Sequence, residues 1–171
     1  MWSRRRVIFV GVVGAATVGA AMLLPRRRNA QPAPQGEALA ATHGAMLAAV
    51  ARGFLNPALP AAPDAQAKEI ARVVQAIGAL VSNLPASTRR EIADLFMLLD
   101  LAPARALLGF SGDWSGATPA AVAESLTALR DSRIGMKQQA YFALHDLVLG
   151  SFYSDASTWA ATGYPGPPKF A

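Results

Sequence analysis

Cysteine is absent from all 171 residues. That excludes disulfide staples, thiolate metal sites and haem attachment through Cys-x-x-Cys-His, so packing alone must hold the fold. Histidine is nearly as scarce, with only His43 and His145. No His-x-x-His, Glu-x-x-His or His-Glu-x-x-His spacing surrounds either, so a zinc site lacks its usual framework. His145 precedes Asp146, but neighbours on a helix point about 100° apart, so no catalytic pair is expected there. Each imidazole reads as a core or interface group with a backbone partner. No serine stands in Gly-x-Ser-x-Gly, and no Gly-x-Gly-x-x-Gly or Gly-x-x-x-x-Gly-Lys fingerprint cradles a phosphate. Asp and Glu occur singly and read as surface charge. Alternating β-branched runs, Asn-Gly or Asp-Gly hairpin signals and internal repeats are missing as well. The expectation is a body without catalytic, cofactor-binding or metal-binding residues.

Charge of one sign is missing from most of the chain. Six of the sixteen Lys/Arg precede Gln35, where no acid occurs, and the other ten face all eleven Asp/Glu. The formal charge of +5 therefore belongs to the N-terminus. The remainder is nearly neutral, with no basic helix stripe and no aromatic residues interleaved with basic ones, so nucleic acid is not an expected partner.

What is present begins with residues 1–28. Ser3-Arg4-Arg5-Arg6-Val7-Ile8-Phe9 leads into an uncharged stretch over 7–24. The pattern is an export signal, and the paired Arg4 and Arg5 resemble the leader of the twin-arginine route, which carries folded cargo. Its Gly/Ala-rich, modest hydrophobicity fits that route. A general secretory signal is the plainer alternative. An uncleaved membrane anchor is a third, since the stretch sits at the lower length limit for spanning, about 17 residues. Small residues at Gly19-Ala20-Ala21 offer one cleavage site, and Gln31-Pro32-Ala33 offers another that Pro34 disfavours. Arginines 4–6 and 26–28 flank the stretch evenly, so positive charge assigns no orientation.

Residues 29–36, with two prolines and no large apolar residue, form a linker. The domain then runs over 37–171, long enough to bury roughly two-thirds of its surface. Leu39, His43, Met46, Leu47, Val50 and Phe54 predict one helix over 37–54. Pro57, Pro60 and Pro63 make a loop, and Asp64 is a candidate N-cap for a helix to Ser82 with Ile70, Val73, Val74, Ile77, Leu80 and Val81 on its apolar stripe. A third helix follows Pro85, with Thr88 and Glu91 at capping-box spacing and Ile92, Leu95, Phe96, Leu98 and Leu99 facing inward. Pro103 ends or kinks it. A short helix over 104–110 and a loop over 111–116 precede a helix over 118–130 that Thr118-Pro119 starts. A longer helix spans 132–152, and Asp155 caps a short one ended by Gly163. The fold class is all-α: one small domain of five or six helices.

The C-terminal tract 151–171 stands apart. Tyr153, Trp159, Gly163, Tyr164, Pro165, Gly166 and Pro167 lie within it, and Pro167-Pro168 enforces an extended exit. Such backbone either lies across its own domain or docks on another protein through its aromatic groups. Phe152 and Trp114 are assigned to the core.

The order of leader, helical body and Phe-Tyr-Ser-Asp-x-x-x-Trp-x-x-x-Gly-Tyr-Pro-Gly-Pro resembles the small subunit of membrane-associated, FAD-dependent dehydrogenases of the glucose-methanol-choline type, the gluconate 2-dehydrogenase subunit 3 family. Leu98-Leu99-Asp100-Leu101 and Ser125-Leu126-x-x-Leu129-Arg130-x-Ser132 are weaker likenesses. Ala156 stands where relatives often have Pro. The resemblance implies a chain without an active site that pairs with a leaderless flavin-bearing subunit and takes it through the twin-arginine translocase into the periplasm. FAD would belong to that partner and haem to a third, cytochrome c subunit; the N-terminal segment would supply contact with the membrane. Tyr153, Trp159, Gly163, Tyr164, Pro165, Gly166 and Pro167 would then form the docking tract. The alternatives from other classes are a stand-alone envelope enzyme or ligand-binding protein, and a membrane-anchored structural protein.

Overall fold

The computed structural model describes residues 32–107, 110 and 112–167. The leader over 1–28, with Arg4 and Arg5, lies outside the described residues, as do the start of the linker and Pro168. Among the described residues there are seven α-helices and no strand. They are α1 (Gly36–Thr42), α2 (Gly44–Leu55), α3 (Pro63–Ser82), α4 (Ala86–Asp100), α5 (Ala102–Leu107), α6 (Pro119–Arg130) and α7 (Gly135–Tyr153).

The central element is α2. Small and large apolar residues alternate around it, and Met46, Leu47, Ala49, Val50, Ala51 and Leu55 are all buried. Helices α3, α6 and α7 pack against it. They contribute Val73 and Ile77 from α3, Val122 and Leu126 from α6, and Leu144, Leu147 and Val148 from α7. Ile92, Phe96 and Leu99 of α4 complete the same core. Gly53 permits the close crossing of α2 and α6, because a Cβ there would stand 2.7 Å from the Val122 side chain. Phe152 and Trp114 are buried, as assigned from sequence. Trp114 stacks on Phe110 at 4.5 Å and donates its indole N–H to the Leu99 carbonyl at 3.2 Å. A buried indole N–H left unbonded would carry a desolvation penalty, so this bond fixes the ring.

Several expectations are corrected: the described residues form seven α-helices rather than five or six, and the short helix expected over 104–110 is α5, which starts at Ala102 and holds Pro103 in its first turn, α4 having already ended at Asp100. The single helix over 37–54 is two, α1 and α2, bent by 86° at His43. His43 leaves helical geometry at φ −105°, ψ 20°, and Gly44 follows it. The helix over 64–82 begins one residue earlier, capped at Ala62 with Pro63 in its first turn. Asp64 is therefore a first-turn acid beside the positive helix end rather than the cap. Thr88 is not a capping residue: α4 starts at Ala86 behind Pro85, which leaves Thr88 buried inside the helix. Leu98 turns outward although it was placed on the apolar face of α4.

The helix over 118–130 begins as Thr118-Pro119 predicts, with the Thr118 hydroxyl accepting from the Ala121 N–H at 3.2 Å. The helix expected over 132–152 starts at Gly135, because the Ser132 hydroxyl accepts from the Ile134 N–H and holds a turn ahead of it. No single described helix is long and apolar enough to cross a membrane; α1 and α2 together have the composition but are bent at right angles.

Candidate docking surface

Two histidine–carboxylate pairs revise the sequence reading of both imidazoles. His43 Nδ1 bonds the Asp100 carboxylate across the bend between α1 and α2, and its ring meets Phe96 edge-on at 5.6 Å. His145 Nδ1 lies 3.0 Å from Asp146 Oδ1, so the adjacent side chains do meet. Divergent Cβ directions on a helix do not prevent this contact. Both partners are carboxylates rather than backbone groups. Phe54 and Tyr141 enclose the His145 ring at 5.7 Å each. His43 ties the helix bend to the end of α4, and His145 closes an aromatic cluster on α7. Among the described residues no three His, Cys, Asp or Glu groups converge as metal ligands would.

A cleft of about 460 Å³ opens between the Trp114 turn and α6, lined by Phe110, Asp113, Thr118, Glu124 and Ser125 among others. Polar side chains along it are engaged locally: Ser125 donates to the Ala121 carbonyl, and the Asp113 carboxylate accepts from the Trp114 N–H and the Ser115 hydroxyl.

The candidate site built furthest from the body's core is the end of α7 with the tract beyond it. The outer face of α7 is mixed, with half-buried Asp146 on the same stripe as its exposed apolar groups. Phe142 is 47% exposed and Tyr153 37% exposed, with half-buried Leu149 between them at helical spacing. Beyond α7 the chain turns twice, over Ala156–Thr158 and Ala160–Thr162. Asp155 caps the first turn by accepting from the Ser157 N–H at 2.9 Å. Gly163 closes the second in left-handed geometry, φ 71°, a conformation that a Cβ would strain.

Trp159 organises the tract. Its indole N–H donates to the Tyr153 carbonyl at 2.8 Å, and its ring meets Tyr164 at 5.3 Å. Gly166, at φ 96°, passes so close that a Cβ would stand 3.3 Å from the indole ring. Trp159 is therefore a half-buried strut rather than a fully presented contact. Tyr153 and Tyr164, the latter 45% exposed, are what the strut displays, with Pro165 and Pro167 exposed beside them. Of the expected docking residues the structure brings Tyr153, Trp159, Tyr164 and Gly166 together, with Gly163 making the turn. Phe142 and Leu149 extend the surface and were missed. Their signal was the excess of apolar residues over 141–153 beyond what one buried stripe needs.

Arg72 of α3 anchors the root of the tract. Its guanidinium bonds Glu69, reaches the Phe152 carbonyl at 3.4 Å and the Asp155 carboxylate at 3.5 Å, and lies 5.9 Å above the Phe152 ring. The bond to Glu69 raises the Arg72 pKa above its ordinary value. The Asp155 carboxyl is held below the usual carboxylate range, chiefly by the Ser157 N–H and then by the Ser157 hydroxyl, with Arg72 contributing less. The folded state thus favours the ionised form. Its stabilising contribution is complete above the unfolded carboxylate pKa of about 3.9 and is lost as pH falls through the lower folded value. Acid titration is therefore expected to loosen the tract only below about pH 4. The measurement is the Trp159 share of the fluorescence, taken as the difference from the Trp159→Phe protein. A transition near neutral pH would contradict the Asp155 cap.

No family model, curated protein or solved structure matches the chain. The fold class of the described residues is all-α.

Proposed function

We propose that this chain is the non-catalytic small subunit of a periplasmic, membrane-associated FAD-dependent dehydrogenase, and that it escorts a leaderless flavin-bearing subunit through the twin-arginine translocase. The observation that carries the proposal is the aromatic surface running from Phe142 through Tyr153 to Tyr164, kept in place by Trp159 and Arg72. Aromatic rings displayed on a fixed backbone lose little entropy on docking, which is what a partner interface needs. The tract carries the motif whose resemblance suggested the family, and the leader suits folded cargo. FAD, and haem in a cytochrome c subunit, would reside in the partners.

The test is co-expression with a leaderless flavoprotein subunit, followed by affinity capture of this chain. Truncation before Gly163 removes Tyr164 and the segment over the Trp159 ring while leaving α1 to α7 intact. Helical circular dichroism is expected to stay unchanged while the flavoprotein, read by its flavin absorbance, is no longer captured. Unchanged capture would remove the tract from the interface, and loss of helical signal would show that the tract serves its own domain.

The 460 Å³ cleft favours one alternative, a stand-alone envelope ligand-binding protein or enzyme. That reading requires the isolated chain to retain a ligand or turn over a substrate.

A further inference from the structure

The cleft between the Trp114 turn and α6 has a lining that specifies one kind of occupant. Small side chains make the recess. Ala121, Ser125 and Ala128 follow one another at spacings of four and three, so one stripe of α6 lacks bulk. Phe110 lines the cleft as well, buried and stacked on Trp114 at 4.5 Å. The Trp114 indole bond to the Leu99 carbonyl holds that pair of rings to α4. The volume of about 460 Å³ falls among small-ligand sites, which run from about 300 to 1,000 Å³.

The charge of the lining is of one sign. Asp113 and Glu124 contribute carboxylates, and among the described residues no Lys, Arg or His lines the cleft. Asp113 stays uncompensated although both of its oxygens are bonded. Its partners, the Trp114 N–H at 2.9 Å and the Ser115 hydroxyl at 3.0 Å, are neutral donors, and each oxygen keeps a further acceptor site. Glu124 is exposed and has no cationic partner among the described residues. The opposing field is the positive end of α6, which starts at Pro119 beside the cleft. That end carries about half a charge, and the Thr118 hydroxyl already takes the Ala121 N–H. Two full negative charges outweigh it. The cleft therefore repels a phosphate or a carboxylate, while a cation carrying an apolar body meets both the acids and the alanine and phenyl surface.

We infer that this cleft binds a small organic cation, its ammonium held by the Asp113 and Glu124 carboxylates and its apolar body laid against Phe110 and the alanines of α6. The site shares no residue with the aromatic tract, and it stands whether or not the chain docks on a flavoprotein.

Phenethylammonium, 2-phenylethanol and phenylacetate share one apolar body and differ in charge, so together they isolate the role of the acids. Binding of each to the full chain in detergent is read by ligand-observed NMR. Phenethylammonium is expected to bind with a dissociation constant of about 1 mM. That is about 25-fold tighter than the alcohol, at about fivefold per carboxylate for charges near 4 Å apart in water. Phenylacetate should not bind. Glu124→Gln, on the exposed face of α6, should weaken phenethylammonium about fivefold. Asp113→Asn keeps an acceptor for the Trp114 N–H and should add a similar loss. Ala121→Leu fills the recess from an exposed position, leaves the core untouched and should abolish binding. Equal binding of the alcohol, or undiminished binding in Ala121→Leu, overturns the inference, the latter by moving the cation to another surface such as the exposed tyrosines. Tighter binding of an acetyl-Gly-Lys-Gly-amide peptide than of phenethylammonium also overturns it, by assigning the acids to a partner's lysine.

Discussion

Replacing Arg4 and Arg5 together with Lys is expected to leave both this chain and the proposed flavoprotein partner in the cytoplasm. The change keeps every positive charge. A secretory route that needs only a basic n-region would be undisturbed, whereas one that recognises guanidinium geometry would not. Arginine presents five donors in a rigid planar fork, while lysine offers a compact ammonium on a flexible stem, so the substitution is not conservative at a site that reads the fork. The measurement is fractionation of cells expressing both chains, with flavin-dependent dye reduction read in each fraction. Nearly complete loss of periplasmic activity is expected, with cytoplasmic activity preserved because the flavoprotein still folds. Export of this chain but not of the flavoprotein would keep the leader and reject the escort role. Export of the flavoprotein without this chain would reject it too.

Much of the fold was legible because helix signals in this chain are local. Thr118-Pro119 states a cap and a first-turn proline in two residues, and the hydroxyl bond to Ala121 realises it. Asp155 and Gly163 likewise mark their turns by side-chain bonding and by tolerance of positive φ. Illegible parts depend on contacts between residues far apart in sequence. The α1–α2 bend joins His43 to Asp100, 57 residues away, and periodicity over 37–54 is blind to it. Gly44 was the one local hint. The capping-box spacing of Thr88 and Glu91 misled because Pro85 had already set the chain for helix entry.

The candidate docking surface was half legible. Aromatic and proline content singled out the tract, but the distinction between Trp159 as strut and Tyr153 and Tyr164 as displayed groups needs the Trp159–Tyr153 hydrogen bond. Phe142 joins them because α7 carries more apolar residues than its buried side needs, which a single buried stripe does not reveal.

Gly36→Ala is expected to destabilise the body by about 1–3 kcal/mol, the usual cost of forcing extra volume into a packed site. The sign is opposite to the ordinary rule, in which Gly→Ala inside a helix gains about 0.5–1 kcal/mol. Gly36 opens α1 against the end of α3, and its N–H donates to the Ser82 hydroxyl at 3.0 Å. A Cβ there would stand 2.2 Å from the Gly78 carbonyl oxygen and 2.5 Å from the Ser82 nitrogen. Both obstacles are backbone, so no rotamer change relieves them, and α1 must lift off. Lifting uncovers Leu39 and Ala40, which are buried against the same helix. It also releases the linker that Arg89 grips through the Pro34 carbonyl at 3.1 Å while bonding Leu84 in the α3–α4 turn at 2.8 Å. The matched control is Gly44→Ala, where a Cβ meets nothing within 4 Å and the change should be neutral or slightly stabilising. Urea unfolding of the two variants should move the midpoint in opposite directions, with the loss in Gly36→Ala far exceeding any gain in Gly44→Ala. Equal, small shifts would mean that α1 does not seat on α3. The chain at Pro34 would then leave the body at no fixed point.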